Sequence, residues 1–186
     1  VLAGPFCGML LADLGAEVIK IEPPRGDDAR TFGPFIDGTS TYHRLLNRNK
    51  LGISLDLKRH RDLGVLERLI ERSDVLIENF RPGTLERLGL GGDRIRALNR
   101  RLVVVSITGF GHDGPLSDLP AYDLLVQAMS GLMAATGPVG GGPTRSAVSL
   151  GDLVPGLYGA LGAVAALYER QGTCVGRHVD VAMLDG

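Results

Sequence analysis

The chain has 186 residues, enough for one domain of ordinary size or one large lobe. Its 20 basic and 21 acidic residues leave a net charge of −1, which argues against a general electrostatic affinity for nucleic acid or for an anionic membrane. The two cysteines, Cys7 and Cys174, are too few for a disulfide scaffold and lack metal-ligand spacing, so we expect a cytoplasmic protein without a metal site.

The first part of the chain predicts strands that alternate with helices. Pro5 suits the first turn of a helix, Gly15 suits its end, and residues 61–73 carry apolar side chains at helical spacing. In chain order we predict a strand end at 1–3, a helix at 5–14, a strand at 17–22, a long loop at 25–49, a strand at 51–57, a helix at 61–73, a strand at 74–78, short helices at 82–88 and 93–99, and a strand at 102–107. This alternation predicts an α/β fold with a Rossmann-like parallel sheet and helices on both faces.

The second part of the chain is poor in charge. Residues 119–168 contain three charged side chains, namely Asp123, Arg145 and Asp152. Two helices are predicted here, at 123–135 and at 153–170, and the second is dense in Gly and Ala. Its apolar run is shorter than the ~20 residues that span a bilayer and contains Pro155, so we favour a buried core helix over a membrane helix.

Asp152 is an isolated carboxylate immediately before the second of these helices. Asp is a preferred N-cap residue, so a capping role is the simplest interpretation. Pro155 has no N–H, however, which removes one of the two usual donors to a cap side chain. A carboxylate can cap a helix and still act as a nucleophile, so both interpretations stay open.

Several short segments, taken together, resemble the family III CoA-transferases of the CaiB/BaiF superfamily, which include formyl-CoA and carnitine CoA-transferases. The matching segments run in order along the whole chain, and it is their combination that is specific. They are LAGP at 2–5, LGAEVIKIE at 14–22, NRNK at 47–50, ENFRPG at 78–83, SITGFG at 106–111, GD at 151–152, GL at 156–157 and GRHVDV at 176–181.

This resemblance implies an enzyme that moves CoA from an acyl-CoA donor to a carboxylic acid acceptor. The family's nucleophilic aspartate matches Asp152, which would form a mixed anhydride with the acyl group and then an aspartyl-CoA thioester. CoA and acyl-CoA would be substrates, and no permanently bound cofactor is implied. The charge-poor sequence around Asp152 suits the exclusion of water that such intermediates require.

The resemblance also implies a CoA site. The basic residues in it suit phosphate groups, although a solvated surface is the commoner position for Lys58 and its neighbours. The residues that match the family's CoA contacts are Leu2, Ala3, Leu55, Lys58, Asn79, Phe80, Arg81, Arg87, Thr108 and Gly109.

Other candidate residues have simpler interpretations. Cys7 has no His nearby in sequence and predicts a core thiol. The four histidines lack metal-ligand spacing, so we expect them to lie at the surface or to have structural roles. Asp123 is interpreted as a helix cap, with a role in the site as the alternative, and Gly140 to Gly142 are interpreted as a flexible turn.

Two alternative functions remain beside CoA transfer. An α-methylacyl-CoA racemase or epimerase would pair an aspartate with a second proton-transfer group, but Tyr122 stands before Asp123 where racemases of the superfamily carry His. A non-catalytic CoA-binding fragment is the other alternative. Since the chain begins with Val1, we expect residues 1–186 to be the N-terminal large-lobe portion of a longer protein that forms an interlocked homodimer with no nucleic-acid or membrane partner. The acyl donor and the acid acceptor stay open.

Overall fold

The computed structural model describes every residue from Val1 to Gly186. The helices are α1 (Ala3–Asp13), α2 (Thr41–Leu46), α3 (His60–Arg72), α4 (Thr84–Arg87), α5 (Gly92–Leu98), α6 (Asp123–Met129), α7 (Leu132–Ala135) and α8 (Leu150–Thr173), with a single 3₁₀ turn at Asp28–Thr31. The strands are β1 (Val18–Glu22), β2 (Phe35–Ile36), β3 (Thr39–Ser40), β4 (Lys50–Ser54), β5 (Val75–Glu78), β6 (Val103–Thr108) and β7 (His178–Ala182).

Parallel strands form the framework, as the alternating pattern predicts. Strands β5, β6 and β7 make a parallel sheet in which Ile77, Val105 and Val179 lie side by side. Strands β1 and β4 make a second parallel pair, and β2 and β3 form a short antiparallel hairpin. The α/β class with parallel strands is confirmed, and the parallel strands divide into a two-stranded and a three-stranded sheet.

Helices cover both faces of the three-stranded sheet. Residues Val103, Val105 and Ile107 of β6 are fully buried and pack with residues of α1 and α8. Val104, which points to the other face, packs against the core formed by α3, α5 and neighbouring segments. Because each fully buried Val or Ile side chain contributes about 1.5–3 kcal/mol, β6 is the central stabilising strand of this sheet.

Helices α1 and α8 approach each other closely because glycine stands at their contact. A Cβ added at Gly156 would lie 2.8 Å from the Ala3 carbonyl oxygen and 2.9 Å from Phe6 Cδ1. One turn later, a Cβ at Gly159 would lie 3.2 Å from Cys7 Sγ. Burial at this contact raises the pKa of the Cys7 thiol to about 12, which confirms that Cys7 is a core thiol.

Helix α8 begins earlier in the chain than the sequence predicts. Its first residue is Leu150, so Asp152 lies within the first turn and the N-cap position belongs to Ser149, whose side chain makes no capping bond. The interpretation of Asp152 as the N-cap is therefore wrong. At 24 residues α8 is long and apolar enough to cross a bilayer by length and composition, but one face packs against α1 and β6, as a core helix does.

Three predicted elements differ from the structure. Residue Ala3 belongs to α1 and not to a strand. The predicted loop at 25–49 contains the 3₁₀ turn, the hairpin and α2, whose N-terminus is capped by Ser40 Oγ accepting the His43 N–H at 3.0 Å. The predicted helix at 123–135 is interrupted because Gly131 has a φ of +82°, a conformation that ends α6 and begins α7.

The segment after β1 is folded back by a buried carboxylate. Glu22 Oε2 accepts a hydrogen bond from Arg30 Nε at 2.7 Å, and Glu22 Oε1 accepts one from Arg30 Nη2 at 3.0 Å and lies 3.3 Å from His43 Nε2. The bonds from Arg30, more than any other contact, lower the pKa of Glu22 to about 2. This anchoring brings Phe32 and Tyr42 together, with ring centroids 5.7 Å apart.

We expect Gly156→Ala to destabilise the protein by about 1–3 kcal/mol, because the added methyl group would overpack the contact between α1 and α8. The midpoint of urea unfolding measures the effect. Gly172→Ala is the matched control, since it lies in the same helix with no atom within 4 Å of the added Cβ. That variant should be neutral or more stable by about 0.5–1 kcal/mol, and equal destabilisation by both would contradict the role of the contact.

Candidate active site

Asp152 lies in the first turn of α8 on the wall of a cavity of about 440 Å³. Its carboxylate accepts no hydrogen bond from the protein. Burial is the main reason that the pKa of Asp152 is raised to about 6, and the negative charge of Asp123 adds to the effect. A carboxylate perturbed in this way inside a cleft is a candidate for catalysis, because proteins seldom leave a half-buried charge without a partner.

Asp123 holds the start of α8 in place. Its Oδ1 accepts the Gly151 N–H at 3.0 Å, and Gln127 Nε2 donates to both carboxylate oxygens at 3.1 and 2.9 Å. The predicted role of Asp123 as the cap of its own helix is wrong, since Tyr122 occupies that position and α6 has no side-chain cap. Asp123 instead satisfies one of the free N–H groups of α8, which Ser149 leaves uncapped.

Gln127 is almost fully buried and connects three segments. Besides its bonds to Asp123, its Oε1 accepts the Ser146 N–H at 2.9 Å and its Nε2 lies 3.4 Å from the Val148 carbonyl oxygen. The amide therefore ties α6 to the segment that leads into α8. Since every polar atom of this buried side chain is used, the network fixes the geometry of the cavity wall.

Arg145 brings a cation to the same wall. Its Nη2 lies 3.6 Å from Asp123 Oδ2, and its side chain is 53% exposed. Asp123, Arg145 and Asp152, the three charged residues of the charge-poor stretch, therefore all line one cavity. The sequence shows these charges as isolated, and the fold brings them to one cavity.

Most of the residues that the resemblance assigns to the site meet at this cavity. Ala3 directly follows Leu2, which lines the cavity, but is itself fully buried in α1. The assigned residues that line the cavity are Leu2, Asn79, Phe80, Arg81, Thr108, Gly109 and Asp152.

Two of these side chains differ in how they are held. Asn79 Nδ2 donates to the Ile107 carbonyl oxygen at 2.5 Å and Asn79 Oδ1 accepts the Gly4 N–H at 3.4 Å, so the side chain joins β5 to β6 and to α1. Thr108 ends β6, and its buried hydroxyl has no hydrogen-bond partner. An unpaired buried hydroxyl on a cavity wall is available to a ligand.

Besides Ala3, three assigned residues lie outside the cavity lining. Leu55 is buried in the core with Leu66 and Ile70, so its side chain is structural. Lys58 is exposed in the turn after β4, and Arg87 is exposed on α4, where its Nη2 donates to Thr84 Oγ1 at 2.7 Å. Their contacts with CoA stay predictions.

Four further residues contribute to the site although no functional role was predicted for them from the sequence. Phe32 and Tyr42 line the cavity because Glu22 folds their segment back, and no local signal in the sequence indicates this. For Arg145 the only signal in the sequence is that it is a rare charge in an apolar stretch. Gln127 had no signal, because its role depends on contacts with residues that are distant in sequence.

The histidines are not part of this cavity. His112 Nδ1 lies 2.9 Å from Asp180 Oδ1, and His178 Nε2 lies 2.9 Å from Ser106 Oγ. Tyr122 lines the cavity and is mostly exposed. No group of three or more His, Cys, Asp or Glu side chains is arranged to hold a metal ion. The second proton-transfer group that a racemase needs is therefore not supplied by His112 in this geometry.

Comparison with known proteins identifies many relatives. The model of the family described as CoA-transferase family III matches residues 1–186. The chain is 48% identical to acetyl-CoA:oxalate CoA-transferase of Acetobacter aceti over 188 residues, covering 100% of the chain and 48% of the relative. It is 43% identical to succinyl-CoA:glutarate CoA-transferase of Homo sapiens, covering 99% of the chain and 42% of the relative.

Solved structures also superimpose closely on the chain. A CAIB/BAIF family protein from Brucella suis superimposes with a TM-score of 0.95 at 40% identity, covering 100% of the chain and 50% of that structure. A hypothetical protein from Mycobacterium tuberculosis superimposes with a TM-score of 0.91 at 38% identity, covering 99% of the chain and 51% of that structure. The chain thus spans about half the length of the relatives that it matches.

We expect Asp152→Asn to stabilise the protein above about pH 7 and to have little effect near pH 4. The raised pKa means that the folded state holds its proton up to about pH 6, whereas the unfolded state releases it near 3.8. Stability is therefore lost as the pH rises between these values, by about 1–3 kcal/mol once both states are ionised, and Asn avoids this loss.

Urea unfolding at about pH 4 and pH 7.5 measures this effect. Asp93→Asn is the control, because the Asp93 side chain is fully exposed and the same change should give no such gain. A variant at Asp152 that is less stable than the wild type at the higher pH would show that burial does not penalise the carboxylate.

Proposed function

Because the chain belongs to CoA-transferase family III, we propose that the protein transfers CoA from an acyl-CoA donor to a carboxylic acid, with Asp152 as the nucleophile. The observation that carries this proposal is the half-buried Asp152 carboxylate, which lines the cavity without a hydrogen-bond partner. We further propose that residues 1–186 form the N-terminal large-lobe portion of the enzyme and that the enzyme is a homodimer.

The proposed reaction begins with the Asp152 carboxylate. One of its oxygens attacks the thioester carbonyl carbon of the donor, the C–S bond breaks, and a mixed anhydride and CoA thiolate result. The thiolate then attacks the aspartyl carbonyl carbon and releases the donor acid, which leaves an aspartyl-CoA thioester. The acceptor carboxylate attacks this thioester to form a second anhydride, and the thiolate returns to the acceptor's acyl carbon, which regenerates the Asp152 carboxylate.

The state of Asp152 suits this role. With a pKa of about 6, the carboxylate is mostly ionised near pH 7 and can attack. The absence of hydrogen-bond donors leaves its lone pairs free, and a raised pKa increases the basicity of the attacking oxygen. The burial that raises the pKa also limits the access of water, which would hydrolyse the anhydride and the thioester.

The proposed CoA site follows the cavity rim. Asn79, Phe80 and Arg81 would contact the CoA chain near the reacting thioester, and the free Thr108 hydroxyl is available to it. Lys58 and Arg87, both exposed outside the cavity, would contact the distal nucleotide and its phosphates. Since CoA is long, a site that extends from the cavity onto the surface is consistent with both groups of residues.

We expect Asp152→Asn to abolish CoA transfer in the full-length protein while leaving CoA binding largely intact, because an amide cannot form the anhydride. Incubation with acyl-CoA followed by hydroxylamine should modify the Asp152 peptide of the wild type, as detected by mass spectrometry. Asp93→Asn should retain both turnover and labelling. Near-normal turnover by the Asp152→Asn enzyme would falsify the proposed role.

We also expect Arg87→Ala to weaken CoA binding by about 1.5–3 kcal/mol, through loss of a charge-assisted contact with phosphate. Calorimetric titration of the full-length protein with CoA measures this change. Arg96→Ala is the matched control, since Arg96 is exposed and pairs with Asp93 on the neighbouring helix α5. Unchanged affinity in the Arg87 variant would remove Arg87 from the CoA site.

A further inference from the structure

Arg145 is a cation on the cavity wall with unused hydrogen-bonding capacity. Its guanidinium donates no hydrogen bond to any protein acceptor, and its nearest carboxylate oxygen, Asp123 Oδ2, lies 3.6 Å from Nη2. A guanidinium carries five N–H donors, so this distant ion pair through one nitrogen leaves most of them free. The proposed reaction gives Arg145 no role.

Asp123 does not occupy the free N–H donors of Arg145. Its carboxylate already accepts the Gly151 N–H and two bonds from Gln127 Nε2. These contacts hold Asp123 between the start of α8 and Arg145, and they stabilise its charge without the guanidinium. The free edge of Arg145 is therefore available to an anion that enters the cavity, and carboxylates fit this edge through two parallel bonds.

The backbone on both sides of Arg145 is fixed. The Thr144 N–H donates to the Met133 carbonyl oxygen at 2.8 Å, and the Ser146 N–H donates to Gln127 Oε1 at 2.9 Å. The held backbone fixes the point from which the Arg145 side chain extends, and Arg145 lines the cavity from that point. Binding an anion there costs only the freedom of the side chain itself.

Arg145 is also separated from the reacting carboxylate. Asp123 contacts both Arg145 and Gly151, the residue before Asp152, so the guanidinium and the nucleophile lie at different positions along one wall. An acid held at Arg145 by one end would share the cavity that Asp152 lines. This arrangement suits a molecule with two carboxylates, since an ion pair with the reacting carboxylate itself would weaken its nucleophilicity.

From this geometry we infer that Arg145 binds the second carboxylate of a dicarboxylic acid whose first carboxylate exchanges CoA at Asp152. The inference rests on the proposed function and assigns its substrate class. A phosphate group of CoA offers similar chemistry to the guanidinium, so the test measures CoA affinity separately from acid selectivity.

The test compares acids of equal chain length in the full-length protein. With acetyl-CoA as donor, glutarate is compared with pentanoate and succinate with butanoate. Arg145→Gln should lower kcat/KM for the dicarboxylates by about 10–100-fold, mainly by raising KM. The kcat/KM for the monocarboxylates should change by less than about twofold. Arg145→Lys should retain part of the preference, because it keeps the charge but loses the bidentate fork. Arg96→Gln, an exposed control, should change neither value.

Binding without turnover provides the second measurement. The Asp152→Asn protein should bind glutarate more tightly than pentanoate by calorimetry, and adding Arg145→Gln should remove that preference. Three outcomes would overturn the inference. They are an equal loss of kcat/KM for both classes of acid, no preference for dicarboxylates in the wild type, and weaker CoA binding by the Arg145→Gln variant with its acid selectivity intact. Failure of the proposed function would appear elsewhere, as the absence of labelling at Asp152 after incubation with acyl-CoA.

Discussion

The contact between Asp123 and the backbone N–H of Gly151 fixes the part of the cavity wall that carries Asp152. It joins the start of α6 to the start of α8, and Gln127 extends the same network to the segment that carries Arg145. A helix usually receives its cap from the residue before it, but here the cap comes from 28 residues earlier in the chain. The first turn of α8, and Asp152 with it, is thereby held to a second helix.

Two opposing effects act on Asp152, and their magnitudes decide which one prevails. The N-terminus of a helix favours an anion by about 0.3–1 kcal/mol at exposed sites. The shift of the pKa from 3.8 to about 6 corresponds to about 3 kcal/mol in the other direction. Burial and the charge of Asp123 therefore outweigh the helix dipole, so the protein holds this carboxylate in a state of higher free energy than it would have in water.

The sequence predicted the regular elements better than the connections between them. Residues 61–73 carry a clear helical pattern, and α3 runs from His60 to Arg72. Asp152 could be identified because a resemblance assigned its role, whereas its place inside the first turn of α8 depends on Asp123. The position of Tyr42 depends on the bonds between Glu22 and Arg30, and that of Arg145 on Gln127. Contacts between residues far apart in the chain leave no periodic pattern, which is why these side chains were missed.

The packing of α1 against α8 has a consequence for how the chain is made. Helix α1 is synthesised early, and its apolar residues are covered by a helix that begins at Leu150. At about 5–20 residues per second, a ribosome takes on the order of ten seconds to produce the residues between them. During that time α1 has no native partner in α8, and closing so long a loop adds an entropic cost to folding. The face of α1 that α8 covers in the folded protein therefore stays without this cover until α8 emerges.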